Sequence, residues 1–153
     1  MTLLAVALAI ADKVTELEEK DFVNGRVLNK NAHVKGKWFI KFYVPWCPHC
    51  QRLAPEWEEM AGEIDEEVNV GAVNCSDHDD LSTFYGVYSY PTIYYIDDSL
   101  GMVKYQGMRS AEDLSDYINN QDYLREDSSK IKDIEKFREI STLEKFKGMF
   151  GLD

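Results

Sequence analysis

The sequence is short of cysteine, of basic residues and of long apolar segments. Three cysteines in 153 residues are too few for a disulfide scaffold or for a zinc site built on two CxxC pairs. The 28 acidic residues outnumber the 17 basic ones, and no basic patch stands out, which argues against a nucleic-acid partner. The longest apolar run, residues 3–11, falls short of the roughly 20 residues that a membrane helix needs. We therefore expect no membrane span in this chain.

The N-terminal apolar run has one feature of a secretion signal. Residues 9–11, Ala-Ile-Ala, precede Asp12 and resemble the small-x-small site at which signal peptides are cleaved. No basic residue precedes the run, so the signal is weak or incomplete. We interpret residues 1–11 as a possible signal-peptide remnant. The alternative is a disordered or loosely docked N-terminus.

The hydrophobic pattern predicts an α/β fold in one domain. Hydrophobic residues make up 44% of the chain, which is typical of a soluble globular protein with a sizeable core. Strands alternate with helices, and a hairpin ends the series, so we expect a central mixed sheet with helices on both faces. The predicted strands are 14–17, 38–44, 68–75, 92–96 and a returning edge strand at 102–105. The predicted helices are 22–29, one from Cys47 to about Ile64, one through 81–85, and one over 110–118.

Capping patterns mark where two of these helices begin. Ser76 or Asp77 is predicted to cap the helix through 81–85. Ser110 is followed three residues later by Asp113, which is capping-box spacing. The acidic residues around His78 could suggest a metal site, but nothing nearby completes a ligand set, and we expect no metal.

Residues 121–153 form a charged extension beyond this domain. Ile131, Ile134 and Phe137 make an apolar stripe, and Ser141 opens a second capping-box pattern. We predict one or two short amphipathic helices here. They would dock on the domain, contact a partner, or lead into a further region.

The stretch around Cys47 and Cys50 carries the chemistry. A CxxC pair between a strand and a helix is typical of a redox-active dithiol. The first helical turn leaves N–H groups unpaired and carries positive partial charge, so a thiol there ionises more easily. Cys47 would be that thiol, with Pro48 at the helix start and Cys50 one turn further in. A protonated His49 would add positive charge beside the thiolate.

Three blocks of sequence resemble a catalytic thioredoxin-like domain of the protein disulfide isomerase family. They are residues 39–57 around the CxxC pair, 85–93 and 105–110. Their order and spacing agree with that family, and the resemblance covers roughly residues 12–120. It implies a thioredoxin-like fold with a central mixed sheet.

The resemblance also implies roles for residues outside the CxxC pair. Pro91 corresponds to the cis-proline that sits against the active-site disulfide, and Tyr90 would offer its backbone to an extended peptide. Trp46 and Tyr90 would add apolar contact with that peptide. Arg109 corresponds to a mobile arginine that helps Cys50 to ionise.

The function implied by the resemblance is that of a thiol–disulfide oxidoreductase or isomerase. Its partners would be cysteine-containing client proteins and a redox partner or glutathione, with no bound cofactor. Its place would be the endoplasmic reticulum lumen or another secretory compartment. Two alternatives remain open: a peptide-binding chaperone module with an incidental cysteine pair, and a thioredoxin-type reductase.

Two positions, Lys41 and Pro48, depart from the family pattern. Lys41 occupies a place where relatives usually carry a buried glutamate that relays protons to the second cysteine, and a buried lysine would favour thiolates or lose its own proton. Pro48 stands where many isomerases carry glycine. The Cys-Pro-His-Cys motif resembles that of bacterial periplasmic disulfide oxidases. Transmembrane thioredoxin-related proteins also carry proline there, and Trp38 and residues 105–107 are similar to that branch as well. Cys75 ends a strand, and we expect it to behave as a small buried hydrophobe.

Overall fold

The computed structural model of the protein describes residues 13–65, 67–127, 130–132 and 151. The predicted signal remnant at 1–11, the apolar positions Ile134 and Phe137, and the capping pattern at Ser141 lie outside the described residues. Within the described part of the chain, no helix is long and apolar enough to cross a membrane.

Among the described residues, six strands form the central sheet, and two more form a separate hairpin. The sheet order is β1-β5-β4-β6-β7-β8, with β1, β5 and β4 parallel and the remaining neighbours antiparallel. The predicted mixed sheet is confirmed. The sheet strands are β1 (Val14–Glu16), β4 (Lys37–Tyr43), β5 (Asn69–Asn74), β6 (Thr92–Asp97), β7 (Gly101–Lys104) and β8 (Ile131–Lys132), and the hairpin strands are β2 (Phe22–Val23) and β3 (Arg26–Val27).

Strand β4 lies inside the sheet because its residues are apolar on both faces. Trp38 to Phe42 are all buried, in agreement with the predicted buried strand at 38–44. Phe39 pairs with Val70 on β5 and with Tyr95 on β6. A strand covered on both faces needs helices above and below the sheet.

Three helices supply that cover, so the predicted layered architecture is confirmed. Helices α1 (Pro48–Glu63) and α3 (Ala111–Asn119) pack together on one face of the sheet. Helix α2 (Asp79–Phe84) and the β2–β3 hairpin cover the other face. The chain thereby buries two apolar layers, one on each side of the sheet.

Helix α1 is held on the sheet mainly by an aromatic cluster. The rings of Phe39 and Trp57 lie 4.9 Å apart, and Tyr117 of α3 stacks on Phe39 at 5.8 Å. Trp57 also donates its indole N–H to the carbonyl of Gly71 on β5, at 3.2 Å. Aromatic pairs of this kind stabilise beyond the area they bury, so the position of α1 on the sheet is well determined.

The predicted helix at 22–29 is wrong. A short 3₁₀ helix, Glu19–Asp21, leads instead into the β2–β3 hairpin. Asn24 and Gly25 lie at its tip with φ of 53° and 80°, the left-handed values of a two-residue hairpin turn. The Asn-Gly pair was the sequence signal for this turn, and it outweighs the helical pattern around it.

The predicted capping of the second helix by Ser76 or Asp77 is also wrong. Helix α2 begins at Asp79, and its N-cap residue, His78, makes no capping bond through its side chain. The Ser76 hydroxyl donates to the Asn74 side chain at 2.6 Å, and the Asn74 amide donates to Asp77 at 3.2 Å. The local turn thus uses the side chains that could have capped the helix.

Residues beyond 120 contribute directly to the folded core. Strand β7 was predicted as an edge strand, but β8 pairs with it, so Ile131 lies in a strand rather than on a helical stripe. Tyr123, in a 3₁₀ helix at Asp122–Arg125, is buried and stacks on Tyr95 with ring centroids 3.8 Å apart. The charged extension is therefore continuous with the sheet at its beginning.

The cap of α3 is confirmed and gives a stability prediction. Ser110 accepts a hydrogen bond from the backbone N–H of Asp113 at 3.1 Å. Ser110→Ala should lower the free energy of unfolding by about 1 kcal/mol, because an N–H at the helix start loses its partner. Urea denaturation would measure the change. Ser110→Asn, which keeps a capping oxygen, should lose much less, and equal losses for both variants would contradict this role.

Candidate active site

Cys47 is the residue at which the loop after β4 becomes helix α1. It is the N-cap residue, with extended backbone angles, and Pro48 follows as the first helical residue. The Cys47 carbonyl accepts the first helical hydrogen bond, from the N–H of Gln51 at 3.0 Å. Proline fits this position because the N–H that it lacks has no partner in the first turn. The predicted placement of Cys47 and Pro48 is therefore confirmed.

The surroundings of Cys47 favour its thiolate. The backbone N–H of Cys50 lowers the pKa of Cys47 most, and the Cys50 thiol, the backbone N–H of His49 and the positive charge of Arg109 add to the effect. Partial burial acts in the opposite direction and is outweighed. The backbone donors belong to the first turn of α1, so the helix start itself supplies the stabilisation.

Cys50 has the opposite environment. Its side chain is only 4% exposed, and burial together with the neighbouring Cys47 thiol raises its pKa. The backbone N–H of Val44 and the charge of Lys41 oppose this shift. All three cysteines carry free thiols, so the structure is the dithiol form. One thiol is accessible and readily ionised, while its partner is covered and protonated.

The other two segments that resemble the protein disulfide isomerase family, residues 85–93 and 105–110, lie close to the cysteine pair. The peptide bond between Tyr90 and Pro91 is cis. The Cys47 Sγ lies 3.6 Å from the Tyr90 carbonyl oxygen, and Arg109 donates from Nη2 to the Pro91 carbonyl at 3.4 Å. Residues from three separate loops are thus brought to one place, beside Cys47.

His49 is held by an arginine that sequence reasoning did not single out. The Nη2 atom of Arg52 lies 2.7 Å from His49 Nδ1. A guanidinium can only donate, so Nδ1 accepts and the ring proton of neutral His49 resides on Nε2. Their i, i+3 spacing on α1 was the available signal. The contribution of a protonated His49 to Cys47 stays a prediction.

Exposed apolar side chains lie on the loops that meet at Cys47. Trp46, Tyr88 and Met108 are 69%, 86% and 74% exposed, and each belongs to one of the three loops that meet at Cys47. Tyr90 is partly buried and packs against the core cluster that includes Cys75, and its apolar contact with a client stays a prediction. Tyr88 and Met108 escaped sequence reasoning because a single exposed apolar residue has no characteristic pattern.

Cys75 behaves as the sequence predicted. It is buried at the end of β5, with its Sγ 3.7 Å from the Val73 carbonyl. Burial raises its pKa to about 11, which keeps the thiol protonated at neutral pH. Across the ranges that the structure describes, no three His, Cys, Asp or Glu side chains converge as metal ligands.

This fold and this site define a thioredoxin-type dithiol domain. A central mixed sheet carries a CxxC pair at the start of a helix, with a cis-proline loop against the first cysteine. Comparison with known proteins gives the same class. The model of the thioredoxin family matches residues 13–120.

The chain belongs to the thioredoxin family, among the thioredoxin domains of protein disulfide isomerases. Mouse protein disulfide-isomerase A6 is 40% identical over 107 residues, which is 69% of this chain and 23% of that protein. Rat DnaJ homolog subfamily C member 10 is 47% identical over 77 residues, or 50% of this chain and 10% of that protein. The crystal structure of the J-Trx1 fragment of ERdj5 matches with a TM-score of 0.60 and 36% identity, covering 74% of this chain and 53% of that one.

The similarity to these relatives is limited in two respects, in the length that it covers and in the branch of the family. The chain spans about a quarter or less of the two curated proteins that it resembles. The comparisons do not support the likeness to the transmembrane thioredoxin-related branch.

The ionisation of Cys47 can be measured directly. The rate of Cys47 alkylation against pH should have its midpoint below that of free cysteine, about 8.5. Arg109→Met should raise the midpoint, because the Arg109 charge stabilises the thiolate. Arg125→Met removes the same charge at an exposed residue that does not act on Cys47, and should have no effect. A midpoint unchanged by Arg109→Met would contradict the role of that charge.

The contact between Arg52 and His49 predicts a single ring tautomer. Long-range ¹H–¹⁵N NMR at pH 8 should show His49 protonated on Nε2 alone. Arg52→Met should give a mixture of the two neutral tautomers, because nothing would then donate to Nδ1. Arg125→Met serves as the matched control. A mixture already present in the unaltered protein would show that the contact does not persist in solution.

Proposed function

We propose that this domain is a thiol–disulfide oxidoreductase or isomerase acting on client proteins through its Cys-Pro-His-Cys pair. The observation that carries the proposal is the contrast between the two thiols. Cys47 is accessible with a lowered pKa, while Cys50 is buried with a raised pKa, one helical turn away. In such a pair, one sulfur reacts with clients, and the other attacks only afterwards to resolve the mixed disulfide.

The exchange proceeds in two displacements. The Cys47 thiolate attacks a client disulfide, forming a bond to one client sulfur, and the other client sulfur leaves as a thiolate. Cys50 then loses its proton and attacks Cys47 Sγ, so that the Cys47–Cys50 bond forms and the Cys47–client bond breaks. Run in reverse, the oxidised pair transfers its disulfide to a client dithiol. If a second client thiolate attacks the client sulfur of the mixed disulfide before Cys50 does, a new client disulfide forms, Cys47 leaves as a thiolate, and the client is isomerised.

Client proteins would bind as extended segments beside the cis-proline loop. The Tyr90 carbonyl contacts Cys47 Sγ in the dithiol form, so backbone groups of this loop lie where a client cysteine must arrive. Backbone pairing binds a peptide without reading its sequence. The exposed Trp46, Tyr88 and Met108 would add apolar contact of low selectivity. Broad acceptance of clients follows.

We place this activity in the endoplasmic reticulum lumen or another secretory compartment, with glutathione or a second redox protein as electron partner. The similarity to protein disulfide-isomerase A6 supports this placement. An oxidising compartment is also where protein disulfides form and persist.

A peptide-binding chaperone module is the alternative, and the exposed apolar side chains on the loops that meet at Cys47 favour it. A chaperone needs those side chains but not the cysteines. A thioredoxin-type reductase is a third possibility, since it would use the same two displacements in one direction only.

Refolding of a scrambled, disulfide-bonded substrate decides between these functions. The unaltered protein should restore native disulfides, and Cys47→Ser should reduce the rate to the uncatalysed background. Cys50→Ser should accumulate a covalent Cys47–client complex, because the resolving thiol is missing.

Cys75→Ala provides the matched control for loss of a cysteine. It should leave refolding nearly unchanged, since the Cys75 thiol is buried and protonated. Equal recovery of the substrate by the Cys47→Ser variant would favour the chaperone. Reduction of disulfides without recovery of native pairing would favour the reductase.

A further inference from the structure

Lys41 lies in a row of residues that crosses the sheet toward its edge. It pairs with Ala72 on β5, and Ala72 pairs in turn with Glu16 on β1. Residues paired in this way point to the same face. Lys41 therefore faces α1, as Phe39 does two positions earlier, and Glu16 lies at the exposed edge of the same face.

The small side chain of Ala72 leaves space between the two charged residues. Neighbouring strands are about 4.8 Å apart, so the backbones at Glu16 and Lys41 are separated by about 10 Å. Ala72 is fully buried and contributes only a methyl group between them. Two long side chains can converge above it, where a larger residue would keep them apart.

Tyr43 connects the two side chains. The Lys41 Nζ lies 4.8 Å from the centre of the Tyr43 ring, a distance typical of a cation–π contact. The Tyr43 hydroxyl donates to the Glu16 carboxylate, at 3.1 Å from Oε1 and 3.2 Å from Oε2. No ion pair with a carboxylate is found for Lys41 among the described residues, so the ring and the nearby charge of Glu16 act on its ammonium without a direct salt bridge.

Lys41 and Glu16 each shift the pKa of the other in the direction that favours its charged form, while burial acts against them. Burial lowers the pKa of Lys41, which is only 6% exposed, whereas Glu16, Glu58 of α1 and Cys50 all act to raise it. Among the carboxylates, Glu16 acts most strongly. For Glu16, burial raises the pKa, because it disfavours the charged carboxylate. Tyr43, Lys41 and, more weakly, His78 oppose that shift. The Lys41 charge, in turn, lowers the pKa of Cys50.

We propose that Glu16 keeps Lys41 positively charged on the sheet face that α1 covers, and that this ammonium stabilises the thiolate of Cys50, a residue of α1, when it resolves the mixed disulfide. Glu16 is a positioning residue, since it acts through Lys41. The inference rests on the proposed function for the resolving step. In that step the Cys50 proton passes to solvent, the Cys50–Cys47 bond forms, and the client leaves as a thiolate. No other reactant is required.

The first test measures the Lys41 ammonium without any client. NMR titration of the Lys41 side chain should show a lower pKa in Glu16→Gln than in the unaltered protein, because a neighbouring negative charge is lost. Tyr43→Phe, which keeps the ring but removes the hydroxyl, should change the pKa in the same direction. Glu59→Gln is the matched control, since it removes an exposed carboxylate on α1 that does not act on Lys41.

The second test measures Cys50 alone, in a Cys47→Ser, Cys75→Ala background. Lys41→Met should move the midpoint of Cys50 alkylation to higher pH. Adding Glu16→Gln should leave Cys50 unchanged at the acid end of the titration, where Lys41 is charged in either case. It should slow alkylation only as the pH rises through the lowered pKa of Lys41. In the Lys41→Met background, Glu16→Gln should have no further effect.

Release of a client from the mixed disulfide connects these measurements to function. In the full protein, Lys41→Met should slow release roughly tenfold at pH 7, an effect that a neighbouring opposite charge typically has on ionisation. A Lys41 pKa unmoved by Glu16→Gln, or a Cys50 midpoint unmoved by Lys41→Met, would overturn the proposal. If Lys41→Met fails to fold, the titration of Lys41 in Glu16→Gln and Tyr43→Phe still decides. If that titration succeeds but no client disulfide reacts, the proposed function has failed instead.

Discussion

The position of Cys47 at the boundary between loop and helix is the constraint on which the site depends. Only at this boundary does a side chain face N–H groups that no carbonyl of the helix can pair with. One residue earlier, the thiol would lie beyond their reach, and one residue later it would be part of the helix. The aromatic contacts of Phe39 and Trp57 hold the helix against the sheet, and so hold this boundary beside the Tyr90 loop.

The two cysteines differ in exposure and in pKa because solvent exposure and the supply of unpaired N–H groups change within the first turn of a helix. Within one turn the chain passes from the surface to the buried layer over β4, so Cys47 is reachable and Cys50 is not. The same backbone donors that favour the first thiolate are unavailable to the second. Ionisation of Cys50 is favoured instead by the backbone N–H of Val44 and by positive charge on the sheet. The sheet presents Lys41, whose surroundings include Glu16 and Tyr43.

Sequence reasoning predicted the sheet and the CxxC site but not every local turn or contact. Buried strands such as β4 are identifiable because their composition is decided by burial on both faces. The β2–β3 hairpin was missed because two strands of two residues are too short for a period to show. The row through Glu16, Ala72 and Lys41 could not be predicted at all. It depends on strand register, which brings together residues up to 56 positions apart in the sequence.

Strand β8 has a consequence for how the domain behaves among other copies of itself. It covers the outer hydrogen-bonding groups of β7 at Met102 and Val103. Without such cover, the edge of β7 would offer unpaired N–H and C=O groups as a template for intermolecular sheet growth. Within the described residues, β8 comprises Ile131 and Lys132, and short charged edges resist that growth. The segment after α3 therefore protects the domain against aggregation.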